Sequence, residues 1–307
     1  MIISFPYAVE LIFLGKPEDM GYNRQIENHL TCQHRIKGAF HENTFTDLDG
    51  TLLNDEKQIP EVNSTAIQKT LQKGNAVVIC TGRSYSSAKK FVDRLGLNQE
   101  GCYAILYNGG MIYDCCSGEI LYKHTMPLSY VKHIFEQAAG FGLYCQTYEG
   151  DHVVTPEDRP EAAQYHWSSQ MEVKVDPKLL DHLKEEPVKV LTSCLDDRKK
   201  HEAYRDFMLP WAKGKVSIFF SSEYYLEHVM EGVSKGAAIR WLCRYLDVPI
   251  EQTIGAGDAE NDLTMLDAAG LAVCMKNGTQ EAKRHADHIT ERDNNQGGVA
   301  EIIEKFM

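Results

Sequence analysis

The chain has 307 residues, with 32 Lys plus Arg against 44 Asp plus Glu and a formal net charge of −12. That length is long for one compact core, so two domains are expected, and 43% hydrophobic with 25% charged residues suits a globular protein. The acidic balance argues against non-specific nucleic-acid binding, which needs a basic footprint.

Met1 to Leu14 is fairly apolar but contains Pro6 and Glu10, lacks a basic start and is too short to span a membrane. Residues 15–42 are polar without a clean period. Residues 1–42 are therefore expected to form an extension outside the main fold. The nine cysteines include no CxxC pair, and Cys115 and Cys116 are adjacent. This favours reduced thiols in a cytoplasm, with Cys80 read as a packing residue.

From about residue 43 strands and helices alternate, and the lead-in His41 to Thr46 is unusually polar for a central strand. Asn63 to Lys73 reads as a helix with Ile67 and Leu71 on one face and Gly74 as its stop. Ala76 to Cys80 (AVVIC) is a continuous apolar run, as a strand covered on both faces requires. Tyr85 to Leu95 reads as a helix closed by Gly96, and Tyr103 to Tyr107 as a second buried strand. Short links between such elements imply a parallel sheet. Residues 123–222 are richer in aromatics, less regular, and end near the strand-like Val216 to Phe220. The alternation returns with a helix from Ser234 to Leu246, a strand from Thr253 to Gly257, a helix from Ala259 to Ala269 and a strand from Leu271 to Met275. The expected fold class is α/β. A parallel-sheet core over 43–122 and 223–307 would carry an inserted α+β domain over 123–222.

Four segments carry chemistry. In Asp47-Leu48-Asp49-Gly50-Thr51-Leu52, a strand would direct the i and i+2 carboxylates to one side, at the end where α/β sheets bind ligands. Two carboxylates 4 Å apart repel by roughly 4 kcal/mol at an effective dielectric of 20, so a cation or a raised pKa is needed. Thr81-Gly82-Arg83 follows a strand and can serve as a phosphate cradle or as a helix N-cap. In Gly257-Asp258-Ala259-Glu260-Asn261-Asp262, Asp258 and Asp262 share a face if the helix starts at once. They are then hard oxygen ligands suited to Mg²⁺, or acids complementing the helix dipole. Lys235 opens a helix, where its charge opposes the dipole. It is either a solvated surface residue or a partner of the acidic cluster.

In this order the four segments resemble the haloacid dehalogenase-like superfamily, in particular its Cof-type phosphatases, across about residues 45–305. The resemblance implies a Rossmann-like core with an inserted α/β cap, and hydrolysis of a small phosphorylated metabolite, a sugar phosphate first among candidates. It implies Asp47 as the nucleophile that becomes an aspartyl-phosphate, and Asp49 as proton donor and then base. Thr81, the Gly82 amide, Lys235 and Asn261 would hold phosphate. Asp47, Asp49 through its carbonyl, Asp258 and Asp262 would hold Mg²⁺. Arg83 and the Asn108-Gly109 turn would lie at the substrate mouth. Met275 to Gly278 and Gly297 to Ala300 resemble the family's closing segments. Tyr148, Glu149 and Asp151 in the insert read first as a glycine-turn surface loop and second as candidates for contacting the leaving group. A phosphomutase using the same covalent chemistry and a non-catalytic phospholigand-binding protein are the alternatives. The twelve histidines show no metal-ligand spacing.

Overall fold

A computed structural model of the protein describes residues 43–307, and the expected extension over 1–42 lies outside the described residues. In chain order the elements are β1 (Asn43–Thr46), α1 (Glu61–Gln72), β2 (Ala76–Cys80), α2 (Tyr85–Leu95), β3 (Tyr103–Leu106), β4 (Met111–Asp114) and β5 (Ile120–Lys123). Then come α3 (Leu128–Gly140), β6 (Tyr144–Glu149), β7 (His152–Thr155), α4 (Pro160–Ser169), β8 (Glu172–Val175), α5 (Leu179–His182), β9 (Lys189–Ser193), α6 (Arg198–Ala212), β10 (Val216–Phe220) and β11 (Tyr225–Met230). The chain closes with α7 (Lys235–Leu246), β12 (Thr253–Gly257), α8 (Leu263–Leu266), β13 (Leu271–Cys274), α9 (Gln280–Arg284), β14 (His288–Ile289) and α10 (Gly298–Phe306).

Two sheets organise these elements. The first runs β14-β13-β12-β1-β2-β3-β4-β5, parallel from β14 to β3, with β4 and β5 added antiparallel. The second runs β10-β11-β9-β6-β7-β8 and is mostly antiparallel. The fold class is α/β, as its sequence implies. The last strand of the second sheet, β11, lies beyond residue 222, so that sheet extends past the expected end of the insert.

All five residues of β2 are buried, as the run AVVIC requires of a strand covered on both faces. Each fully buried aliphatic side chain contributes about 1.5–3 kcal/mol before ordering costs. Helix α2 is bounded by Ser84, whose hydroxyl accepts from the Ser87 amide, and by Gly96 in the left-handed region at φ 69°. The polar β1 is nonetheless the central strand, pairing with β12 on one side and β2 on the other. The helix expected over Ala259 to Ala269 is shorter than its sequence suggests. A 3₁₀ turn at Glu260–Asp262 leads into the four-residue α8, because Asp258 and Ala259 stay outside the helix as its preceding loop.

Candidate active site

The motif around Asp47 starts where β1 stops. The Asp47 amide still donates to the Ala256 carbonyl at 2.9 Å, which fixes this residue at the carboxyl ends of β1 and β12. The chain then turns, with the Leu53 amide donating to the Leu48 carbonyl at 2.8 Å. Leu48, Leu52 and Leu53 are fully buried and anchor that turn. Gly50 has φ 84°, and a Cβ there would lie 2.5 Å from Asp258 Oδ2. Backbone conformation and space therefore both require glycine.

Lys235 joins the two halves of the core. It is the first residue of α7, whose cap Ser234 accepts from the Ala237 amide, and it is fully buried. Its Nζ donates to Asp47 Oδ1 at 2.5 Å and to Asp262 Oδ1 at 2.6 Å. These carboxylates offset a dipole-opposed and desolvated position. Asp262 Oδ2 accepts the Asp258 and Ala259 amides at 2.9 and 3.0 Å. Asp262 thus braces the loop that presents Asp258. Thr51 Oγ1 donates to Asp258 Oδ1 at 2.8 Å, and Asn277 Nδ2 donates to the Gly50 carbonyl at 2.7 Å.

Ligand atoms of Asp47, Asp258 and Asp262 lie within 4.8 Å of one another. Burial raises the Asp47 carboxyl to about 7; the Lys235 charge opposes this, while Asp262 and Asp49 add to it. Burial, with Asp262 and Asp47, likewise holds Asp258 well above the usual carboxylate range. Burial alone would lower the Lys235 ammonium, but Asp262 and Asp47 reverse the effect and raise it. Three carboxylates against one lysine leave surplus negative charge in a low-dielectric crevice.

Asp49 is held apart from this trio. Arg83 Nε and Nη2 donate to its Oδ2 and Oδ1 at 2.7 and 2.8 Å, and Lys57 Nζ donates to Oδ1 at 2.9 Å. Burial pushes the Asp49 carboxyl up, but the Arg83 hydrogen bonds and charge, with Lys57, bring it below the ordinary range. The strand ends at Thr46, before either carboxylate, so strand alternation does not orient the pair.

Thr81 is buried, and it is not the cap of α2, since Ser84 fills that place. Its Oγ1 accepts from the Arg83 amide at 3.2 Å. The Asn108 amide donates to the Thr81 carbonyl at 3.0 Å, and Asn108 Oδ1 accepts from Asn261 Nδ2 at 3.2 Å. Asn108 Nδ2 is buried without a partner among the described residues. Tyr107, Asn108 and Gly109 have φ values of 53°, 58° and 103°, and a Cβ on Gly109 would meet the Ser234 carbonyl. The tight turn thereby brings Asn108 beside the start of α7, and Gly82 lies against the Asn108 side chain.

Of the candidates in the insert, Tyr148 is buried and shares a 2.6 Å hydroxyl contact with Tyr165. Glu149 is exposed, as is Asp151 in the turn after β6. Sequence reasoning passed over Lys57 and the insert residue Lys189, whose Nζ donates to the Gly82 carbonyl at 2.9 Å. Lys57 follows Asp49 closely enough to be sought as its counter-charge. Lys189 has no local signal, because only tertiary folding brings it near Gly82.

A family model described as haloacid dehalogenase-like hydrolase matches residues 44–303. The chain belongs to that family. The crystal structure of a haloacid dehalogenase-like hydrolase from Bacteroides thetaiotaomicron aligns with a TM-score of 0.79 at 29% identity, covering 87% of this chain and 99% of that one. Phosphatase YwpJ of Bacillus subtilis (strain 168) is 26% identical over 289 residues, covering 85% of this chain and 98% of its own length. From the same organism, 5-amino-6-(5-phospho-D-ribitylamino)uracil phosphatase YitU is 27% identical over 276 residues, covering 85% of this chain and 96% of its own. The protein is a phosphatase of the haloacid dehalogenase type.

Proposed function

We propose that the protein hydrolyses a small phosphomonoester, with a sugar or sugar-alcohol phosphate as the leading class, through a phosphorylated Asp47. The observation that carries this reading is the buried Lys235 bridging Asp47 and Asp262, with Asp258 alongside. A sugar-alcohol phosphate agrees with the name of YitU, whose substrate bears a phosphoribityl group.

The donor set suits Mg²⁺, because it consists of clustered hard oxygens, and burial, with the neighbouring carboxylates, raises the Asp47 and Asp258 carboxyls. We assign its binding to Asp47, Asp258 and the Asp49 carbonyl. Asp262 is the brace, since its oxygens already accept three N–H donors. When bound, Mg²⁺ would balance charge on the phosphoryl oxygens.

Lys235 occupies Asp47 Oδ1, so Oδ2 is assigned to attack. Its bond to phosphorus forms as the bond to the leaving oxygen breaks, and that oxygen takes a proton from Asp49. Water then attacks the aspartyl-phosphate, giving its proton to Asp49 and releasing phosphate with Asp47 restored. The Thr81 hydroxyl, the Gly82 amide, Asn261 and Lys235 hold the phosphoryl oxygens. As placed here, Asp49 is an anion, the form that accepts the water proton. Its role as acid requires the Arg83 bonds to loosen and the carboxyl to be protonated.

A panel of phosphorylated metabolites tests the reading, with and without EDTA and with Asp47→Asn as control. Release of inorganic phosphate that stops in EDTA and in the variant is expected. An isomeric phosphosugar as product would indicate a mutase, and metal-independent release or wild-type turnover by the variant would overturn the scheme.

A further inference from the structure

The second sheet presents one face to the core. In the antiparallel pairing of β9 with β11, Lys189 lies opposite Val229 and Leu191 opposite Glu227, so these four share a side. Leu191 packs in a cluster with core residues such as Leu106 and Tyr107. On the opposite side, Val190 packs with residues of α3 and α6. Lys189 and Glu227 are both buried and form a 2.8 Å ion pair. Ser221 Oγ donates to the other Glu227 oxygen at 2.8 Å, and the Lys189 ammonium lies 5.2 Å from the centre of the Tyr148 ring.

Beyond this pair, Lys189 Nζ donates to the Gly82 carbonyl at 2.9 Å. That carbonyl belongs to the peptide whose N–H is that of Arg83, and the Arg83 amide donates to Thr81 Oγ1 at 3.2 Å. One peptide unit is therefore gripped at its oxygen by the insert, while its hydrogen occupies an acceptor site on Thr81. An occupied acceptor directs the hydroxyl proton away from the Arg83 amide, toward another oxygen. Hydrogen bonds in such a chain polarise one another. A second thread runs parallel, because Arg83 Nη1 donates to Ser87 Oγ at 2.9 Å and Ser87 Oγ donates to the Ser169 carbonyl at the end of α4 at 2.5 Å.

We propose that Lys189, held by Glu227, is a positioning residue. By fixing the Gly82–Arg83 peptide when the insert is seated, it aims the Thr81 hydroxyl at a phosphoryl oxygen. This rests on the phosphate-holding role proposed for Thr81, and it assigns to the insert a direct part in forming the phosphate site.

A double-mutant cycle on the full chain tests the proposal, with inorganic phosphate as the probe and Mg²⁺ present. Lys189→Met with Glu227→Leu removes both charges together, since removing one alone would strand its buried partner. In the Thr81 protein this exchange is expected to weaken phosphate binding roughly 10- to 100-fold, as loss of groups that orient ligand-holding residues does. In the Thr81→Ala background the same exchange is expected to change binding little, because the group it aims is gone. Equal losses in both backgrounds, or no loss in either, would overturn the proposal. If the apolar pair does not fold, Lys189→Gln with Glu227→Gln removes the charges but keeps polar groups, and is judged by the same non-additivity. Substrate turnover separates this idea from the phosphatase reading. A protein that hydrolyses phosphoesters but shows additive losses loses only the positioning role. One that shows the non-additive pattern but releases no phosphate loses only the hydrolytic reading.

Discussion

At Asp47 burial and charge pull in opposite directions, and the balance makes stability depend on pH. Its carboxyl titrates near 7 in the folded protein against an ordinary 3.8. Between these values the folded state binds the proton more tightly than the unfolded state. This contribution to stability is therefore intact below about 3.8 and is lost as pH rises through about 7. Asp49 has the opposite sign, contributing above the ordinary value and losing that contribution as pH falls through its lowered one. Its side chain is 38% exposed, so solvent screening reduces the effect. We predict that Asp47→Asn, while inactive, raises the Tm of the EDTA-treated protein at pH 8 by a few degrees and flattens the stability profile between pH 4 and 7. Thermal melts across that range would check it, and an unchanged slope would argue against buried charge at Asp47. Lys235→Met should do the reverse. Stranding two buried carboxylates is expected to cost about 3–5 kcal/mol in denaturant unfolding.

At the scale of elements, what the sequence reveals depends on whether local chemistry or tertiary contact decides. The AVVIC strand and the Gly96 stop of α2 are visible because burial on two faces and a left-handed cap leave local signatures. Strand β1 is the harder case, since Asn43-Thr44-Phe45-Thr46 resembles an exposed segment. Its Thr44 hydroxyl reaches the Met307 sulfur at 3.0 Å and its Thr46 hydroxyl the Asp47 carbonyl at 2.9 Å, contacts that do not appear as periodicity. Among the site residues, Asp258 and Asp262 come together through a side chain accepting two loop amides, not through one helical face. The spacing singled out two residues that the fold brings together through a different geometry. Helix α7 illustrates close packing at the same scale. A Cβ on Gly236 would collide with the Thr264 carbonyl, beside the lysine that α7 must place. Gly236→Ala is expected to destabilise the protein by about 1–3 kcal/mol through overpacking. It should also lower kcat as Lys235 shifts from Asp47. Unfolding and turnover measured on the same preparation would show whether the two losses go together. A variant with normal stability and turnover would mean that α7 moves aside freely.

In the whole molecule, the site acquires a wall that neither sheet supplies alone. A cleft of about 620 Å³ opens between the α6–β10 edge of the insert and the start of α7 with the Glu260–Asp262 turn. Asn108, Asn261 and Lys235 line its core side, and Ser217 and Phe219 line its insert side. Ser217 lies opposite Val229 and Phe219 opposite Glu227, which places both on the face shared with Lys189. On the proposed function, the phosphoryl group would meet donors from the core and the leaving group an aromatic ring from the insert. Phe219 should then influence substrates in proportion to what they carry beyond phosphate, because binding remote from the reacting centre is what a larger leaving group adds. For Phe219→Ala we expect roughly a tenfold fall in kcat/KM for the best phosphoester of the panel. Acetyl phosphate, whose leaving group is small, should be hydrolysed at nearly the wild-type rate. Parallel losses for both would place Phe219 in support of the fold or of the phosphate site itself. A loss confined to the larger substrate would make the insert's face the surface that selects it.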